Sequence, residues 1–155
     1  MKLQLTDWMP TKPDFELFHI YCHQKDYRLC FALNQHFKCS FERISDFLEE
    51  EEKPHLPTYA RFTYTDEITH KEYYLISNQP VVKELVTREG DLFPTEQPEI
   101  LIPELPKVDY FFQLYGQFEE EELEGIEDEL SMIPIIRAAQ RVDTETLKSY
   151  MNLMH

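Results

Sequence analysis

Between Phe15 and Cys22 the chain alternates with a period of two. Phe15, Leu17, His19 and Tyr21 fall on one side, and Glu16, Phe18, Ile20 and Cys22 on the other. Apolar residues on both alternating sets predict a strand buried on both faces, central in a sheet. Asp26 follows as a helix-capping carboxylate, able to accept the free N–H groups of a first turn. Tyr27, Cys30, Phe31 and Leu33 recur at helical spacing and predict a helix ending near Phe37. Lys38 to Ile44 reads as a second strand, and Glu49–Glu52 with Pro54 and Pro57 as a charged loop.

The clearest hairpin comes next. Tyr59–Thr65 and Lys71–Ser77 are rich in Tyr, Phe, Thr and Ile and flank the polar Asp66–His70. Phe62 with Tyr64, and Tyr73 with Leu75, give each arm one aromatic-rich face. Val81, Val82, Leu85 and Val86 fit a short helix stopped by Gly90. Over Ile100–Lys107, Pro103 and Pro106 fix φ and remove two N–H donors, predicting an extended stretch unsuited to a central ladder. A strand is expected from Lys107, with Val108, Tyr110, Phe112 and Leu114 on one face and Asp109, Phe111, Gln113 and Tyr115 on the other, ended by Gly116. Leu123, Ile126, Leu130 and Ile133 then predict a helix closed by Pro134. Ile135–Val142 reads as a last strand, and Asp143 or Thr144 as the cap of a terminal helix through Leu147, Tyr150, Met151 and Met154.

These elements predict a single α+β domain over residues 1–155: a mostly antiparallel sheet of five or six strands, packed by two or three helices. The first two strands are a candidate parallel pair, joined by a right-handed crossover through the Asp26–Phe37 helix.

Composition narrows the classes of function. Fifteen Lys and Arg against thirty Asp and Glu give a net charge of −15. Such a surface repels phosphate backbones and anionic membranes, so direct nucleic-acid binding and membrane attachment are not expected. The first reading of this acidity is solubility, and the sharper one is a partner protein with a basic face. Three cysteines, Cys22, Cys30 and Cys39, make no disulfide framework. Met1–Pro10 lacks a basic segment followed by an apolar run, and no apolar stretch approaches the ~20 residues that span a bilayer. The expected compartment is the reducing cytoplasm.

The candidate chemistry is sparse. His19, Cys22, His23, Cys30, His36 and Cys39 crowd into one stretch, but alternation sends His19 and Cys22 to opposite strand faces, and zinc needs four converging ligands. No metal or other cofactor is expected. Glu104 and Asp109 are a candidate carboxylate pair; the competing reading is that Glu104 accepts backbone N–H bonds in a proline-fixed turn while Asp109 pairs with a neighbouring strand or loop. There is no GxSxG, P-loop or HExxH motif. Glu119–Glu129 holds eight carboxylates in eleven positions, and Glu120, Glu121, Glu124, Glu127 and Asp128 form a candidate acidic docking face. Their mutual repulsion at i,i+4 spacing costs helix stability, which a basic partner or bound cations would relieve. If the relief came from within the chain, Lys38, Arg43 and Arg137 would be the first bases to consider.

The segment Ile102-Pro103-Glu104-Leu105-Pro106-Lys107-Val108-Asp109-Tyr110 resembles the signature of the bacterial IPExxxVDY family. Phe111, Phe112 and Leu114 beyond it, Asp26-Tyr27-Arg28-Leu29 with Leu33-Asn34, and Tyr74-Leu75-Ile76-Ser77-Asn78 agree with the same family. The acidic Glu119–Glu129 run is a departure from it. The resemblance supplies no reaction, cofactor or partner. The leading expectation is a non-enzymatic protein-interaction or regulatory module, with Pro103, Glu104, Val108, Asp109 and Tyr110 as one candidate surface and the acidic helix as another. Two alternatives stand beside it: an enzyme with a site near Glu104 and Asp109, and an acidic inhibitor that imitates nucleic acid.

Overall fold

A computed structural model describes residues 15–53, 56–81 and 99–143. Within them, strands β1 (Glu16–Tyr21), β2 (Glu42–Phe47), β3 (Tyr59–Thr65), β4 (Glu72–Pro80), β5 (Tyr110–Tyr115) and β6 (Ala138–Val142) form one sheet. Helix α1 (Asp26–Phe37) links β1 to β2, and α2 (Glu120–Met132) links β5 to β6. The sheet order is β2-β3-β4-β5-β1-β6, and each neighbouring pair is antiparallel. The chain is therefore an α+β fold. The proposed helices at Val81–Val86 and beyond Asp143 lie outside the described residues, apart from Val81 itself.

The expected parallel pairing of the first two strands is wrong, and the side chains explain why. β1 is apolar on both faces, so it needs neighbours that continue both cores. It finds them in β5, where Leu17 meets Gln113 and Ile20 meets Tyr110, and in β6, where Leu17 meets Val142. β2 carries Glu42, Arg43 and Asp46 and is mostly exposed, which suits an edge. It sits at the far edge instead, beside β3. β2 also begins later than expected, because the residues after α1 serve as its cap. Lys38 takes the left-handed conformation (φ 54°), the Cys39 N–H donates to the Asn34 carbonyl, and the Asn34 amide brackets Phe41 through its N–H and its carbonyl.

The two faces of the sheet are covered differently. On one, Phe18, Ile20, Phe62, Leu75, Phe112 and Leu114 pack against Leu29, Cys30 and Leu33 of α1 and Leu123 and Leu130 of α2. The anticipated faces of the hairpin hold: Phe62 lies opposite Leu75 and Tyr64 opposite Tyr73. On the other face, Phe15, Leu17, Ile76 and Phe111 lie under Leu101, Ile102 and Val108.

That second cover is made of turns rather than the extended stretch the prolines suggested. The Leu105 N–H donates to the Ile102 carbonyl at 3.0 Å and the Val108 N–H to the Leu105 carbonyl at 3.2 Å. Pro103 and Pro106 each occupy the second position of a turn, where a fixed φ near −65° is what the backbone requires. The strand consequently starts at Tyr110 and not at Lys107. Val108, still inside the turns, packs on the opposite face from Tyr110, contrary to the expected alternation. The same device ends α2: the Ile136 N–H donates to the Ile133 carbonyl across Pro134, which delays β6 to Ala138.

Candidate functional site

The signature segment is built around Asn78, at the end of β4 and fully buried. Its Nδ2 donates to the carbonyls of Leu105 (3.0 Å) and Val108 (2.8 Å), and its Oδ1 accepts the Ile102 N–H at 2.9 Å. Its backbone N–H reaches the Asp109 carbonyl, and its carbonyl accepts the Leu101 N–H. One side chain thus satisfies three backbone groups of the two turns, groups that would be costly to bury unpaired. Asp109 performs the reciprocal task toward β1. Its N–H donates to the Ile20 carbonyl and its carboxylate accepts the Cys22 N–H at 2.8 Å. The Tyr110 ring is buried on the helical side, and its hydroxyl donates to the Gln24 carbonyl at 2.6 Å. Burial first, then the nearby Asp26, Cys22 and Asp109, raises the Tyr110 phenol well above its ordinary value.

Of the five signature residues singled out from the sequence, Val108, Asp109 and Tyr110 are therefore absorbed in the fold. Pro103 and Glu104 stand exposed at the first turn. Asp109 pairs with a neighbouring loop, as one of its two readings held, so a free carboxylate beside Glu104 is not what the geometry offers.

The histidines and cysteines are dispersed. His19 faces the turn-covered side, edge-on to Phe111 at 5.7 Å, while Cys22 and Cys30 lie in the helical-side core and His23 is exposed. Among the described residues no group of three or more His, Cys, Asp or Glu side chains converges to hold a metal ion. Burial pushes the Cys30 thiol up to about 11 and raises Cys22 and Cys39 as well, keeping all three as poorly nucleophilic thiols. Burial also lowers His19 to about 4, and its Nε2 has no hydrogen-bond partner among the described residues.

Helix α2 sorts its carboxylates by position. Leu123 and Leu130 point into the core. On one flank Glu120 makes two contacts with the Arg141 guanidinium (2.6 and 3.2 Å), and Glu127 accepts the Arg141 backbone N–H at 2.5 Å. On the other, Glu122 pairs with Lys71 at 2.6 Å and Glu129 with His36 of α1. Lys71 also lies 4.5 Å above the Phe118 ring. Hydrogen bonding to Arg141 holds Glu120 below the usual carboxylate range, and hydrogen bonding to Lys71 does the same for Glu122. The basic partners are Arg141, Lys71 and His36, and not Lys38, Arg43 or Arg137. Arg43 instead bridges Asp46 and Asp26, and Arg137 contacts the His23 ring. Of the proposed acidic face, Glu120 and Glu127 are committed internally. Glu121, Glu124 and Asp128, spaced i, i+3 and i+7 along the exposed side, have no partner among the described residues.

One surface was missed. Tyr27 (57% exposed) and Phe31 (63% exposed) lie on the outside of α1, although they helped to predict the helix. The stripe that buries is Leu29, Cys30, Leu33 and the half-buried Phe37. Tyr27 and Phe31 each lie two residues before a stripe leucine, about 200° around the helix, so the signal was present in the spacing. Lys25 at the start of α1, Arg28 in its first turn and Lys38 at its end are exposed and without a carboxylate partner among the described residues; Arg28 reaches the Gln24 side-chain oxygen, at 3.4 Å. Among the described residues no helix is long and apolar enough to cross a membrane. Comparisons with protein-family models, curated proteins and solved structures give no match for this chain.

Proposed function

We propose that this chain is a cytosolic protein of the bacterial IPExxxVDY type that acts by binding another protein, without catalysis, through the helical side of its sheet. The observation that carries this reading is the division of labour among its polar and aromatic groups. The signature's Asp109 and Tyr110 are occupied by backbone partners, while Tyr27 and Phe31 on α1 and Glu121, Glu124 and Asp128 on α2 are left facing outward. Tyr27 and Phe31 lie four residues apart on one side of α1, and Tyr and Phe are among the residues enriched at interfaces.

The other readings have less support. A catalytic carboxylate pair needs two groups free to exchange protons with a substrate, and Asp109 is engaged by the Cys22 N–H. Imitation of nucleic acid calls for an extended array of carboxylates, whereas four of the α2 acids are paired within the chain.

The test is affinity capture from native cytosol with the purified chain as bait, followed by mass spectrometry. The expected result is a protein retained at near-stoichiometric level by the wild type and lost with Tyr27→Ser/Phe31→Ser. It should be kept with Glu104→Gln, which alters the exposed signature turn. Retention lost only with Glu104→Gln, or capture indifferent to both changes, would remove the helical side from consideration.

A further inference from the structure

The outward faces of the two helices are complementary to each other. α1 presents Tyr27 and Phe31 along with the exposed cations Lys25, Arg28 and Lys38, which have no carboxylate partner among the described residues, in a chain whose acids outnumber its bases two to one. α2 presents Glu121, Glu124 and Asp128, without partners among the described residues, with Met132, 66% exposed, at its last turn. Both helices pack on the same face of the sheet, and a His36–Glu129 hydrogen bond ties one to the other. They are 12 and 13 residues long, about 18–20 Å each.

We infer that the occupant of this surface is a second copy of the same chain, in a two-fold dimer that sets α1 of each protomer against α2 of its partner. The inference rests on the docking role proposed for the helical side and names what docks there. A two-fold axis lying in the interface and running between the helices repeats one contact twice, as an isologous dimer requires. Each contact sets cations against carboxylates and gives the aromatic pair an apolar, polarizable neighbour in Met132. The net charge of −15 opposes self-association at long range, but screening confines that repulsion to about 8 Å at physiological salt.

Sedimentation velocity on the full chain tests this. At ~150 mM salt the wild type is expected to shift from monomer to dimer as its concentration rises toward ~200 µM, as befits an interface of modest size. Tyr27→Ser/Phe31→Ser should weaken association by about tenfold or more while leaving the thermal melt unchanged. Two charge reversals sharpen the test: Lys25→Glu/Arg28→Glu in one protein and Glu121→Lys/Glu124→Lys in another. Each alone should stay monomeric, since both of its contacts become like-charged. Mixed one to one they should form a heterodimer, because each contact is then complementary again. A wild type that remains monomeric throughout would overturn the second copy as occupant; if cytosolic capture still depended on Tyr27 and Phe31, the docking role itself would survive. Dimers that persist in the aromatic double variant, or reversed proteins that fail to recover association when mixed, would equally defeat the proposal.

Discussion

The signature turns and the helical surface spend their side chains in opposite ways. Around Asn78, polar atoms are matched to buried backbone groups, so the segment from Leu101 to Tyr110 is fixed onto one face of the sheet. On α1 and α2, Tyr27, Phe31, Glu121, Glu124 and Asp128 lie exposed, and these three carboxylates have no partner among the described residues. The motif's Asp109 and Tyr110 thus serve the fold, whereas the aromatic pair stands on the surface. The contrast teaches that a recognisable signature can record a folding requirement. Its separation from the exposed surface can be broken, or sharpened, by measuring how much stability each half carries.

The largest effects are expected at the centre of the turns. Asn78→Ala strands the Ile102 N–H and the Leu105 and Val108 carbonyls in a buried setting and should cost about 3–5 kcal/mol. Tyr110→Ala removes a buried ring and the bond to the Gln24 carbonyl, for a similar loss of about 3–5 kcal/mol. Tyr110→Phe isolates the hydroxyl and should cost about 1 kcal/mol. Urea unfolding curves measure all three. If Asn78→Ala cost less than 1 kcal/mol, the turns would be held by their prolines alone and the contrast would collapse.

Asp109 is next. Its carboxylate reaches across to the Cys22 N–H, so Asp109→Ala should cost about 1–3 kcal/mol, and Asp109→Asn, which keeps an acceptor oxygen, clearly less. The same two variants bear on the alternative of a catalytic carboxylate. A role in the fold orders them by stability, whereas a role in proton transfer would make Asn as damaging as Ala without altering the melt.

A pH dependence of intermediate size comes from His19. Burial lowers its folded value to about 4, while in the unfolded chain it titrates near 6.5. As pH falls, the unfolded state binds the proton first, so stability drops from pH 6.5 downward and levels off below about 4. The slope from this one group is at most about 1.4 kcal/mol per pH unit. Glu120 and Glu122, held low by Arg141 and Lys71, add a loss of the same sign in more acid solution, as pH falls through their folded values. His19→Leu should flatten the curve between pH 6.5 and 4. An unchanged slope would mean that His19 reaches water and belongs to no buried face.

Most of this architecture was legible because its elements carry strong periodic patterns. β1 and β5 are apolar on both faces, the β3–β4 hairpin pairs aromatic and apolar positions across its arms, and Leu123, Ile126 and Leu130 keep a stripe along α2 through a run of acids. What escaped depended on contacts distant in sequence. The polar residues of β2 suit an edge, but nothing near it says that this edge is the one far from β1, since that follows from β1's need for apolar neighbours on both faces. The turns at Pro103 and Pro106 needed Asn78, more than twenty residues away, to complete their hydrogen bonding. The outward aromatic pair was overlooked because Tyr and Phe count as apolar in any periodic reading, although Leu29, Cys30 and Leu33 already filled the inward stripe. The acids' partners Lys71 and Arg141 come from β4's approach and β6, which only the sheet order brings beside α2.

The smallest effects should come from the helical surface, and they separate two kinds of carboxylate. Glu121, Glu124 and Asp128 face water without a partner among the described residues, so replacing all three with glutamine removes repulsion and sacrifices no ion pair. The melting temperature should rise slightly at ~10 mM salt, where the screening length is about 30 Å, and the gain should vanish near ~150 mM as it shortens to about 8 Å. Glu120 and Glu122 should respond with the opposite sign. Each is paired with a base and each has its titration lowered by that base, so Glu120→Gln/Glu122→Gln gives up attraction and should lower the melting temperature. Exposure keeps that loss small, and added salt should shrink it further. Tyr27→Ser/Phe31→Ser should lie within about ±0.5 kcal/mol of the wild type when measured well below the concentration of any dimer. Thermal melts of the three variants at both salt concentrations give six comparisons, and the sign difference at low salt is the decisive one. If the Glu121/Glu124/Asp128 variant melted lower as well, those carboxylates would be supporting the fold, and the surface assigned to binding would be no freer than the turns around Asn78.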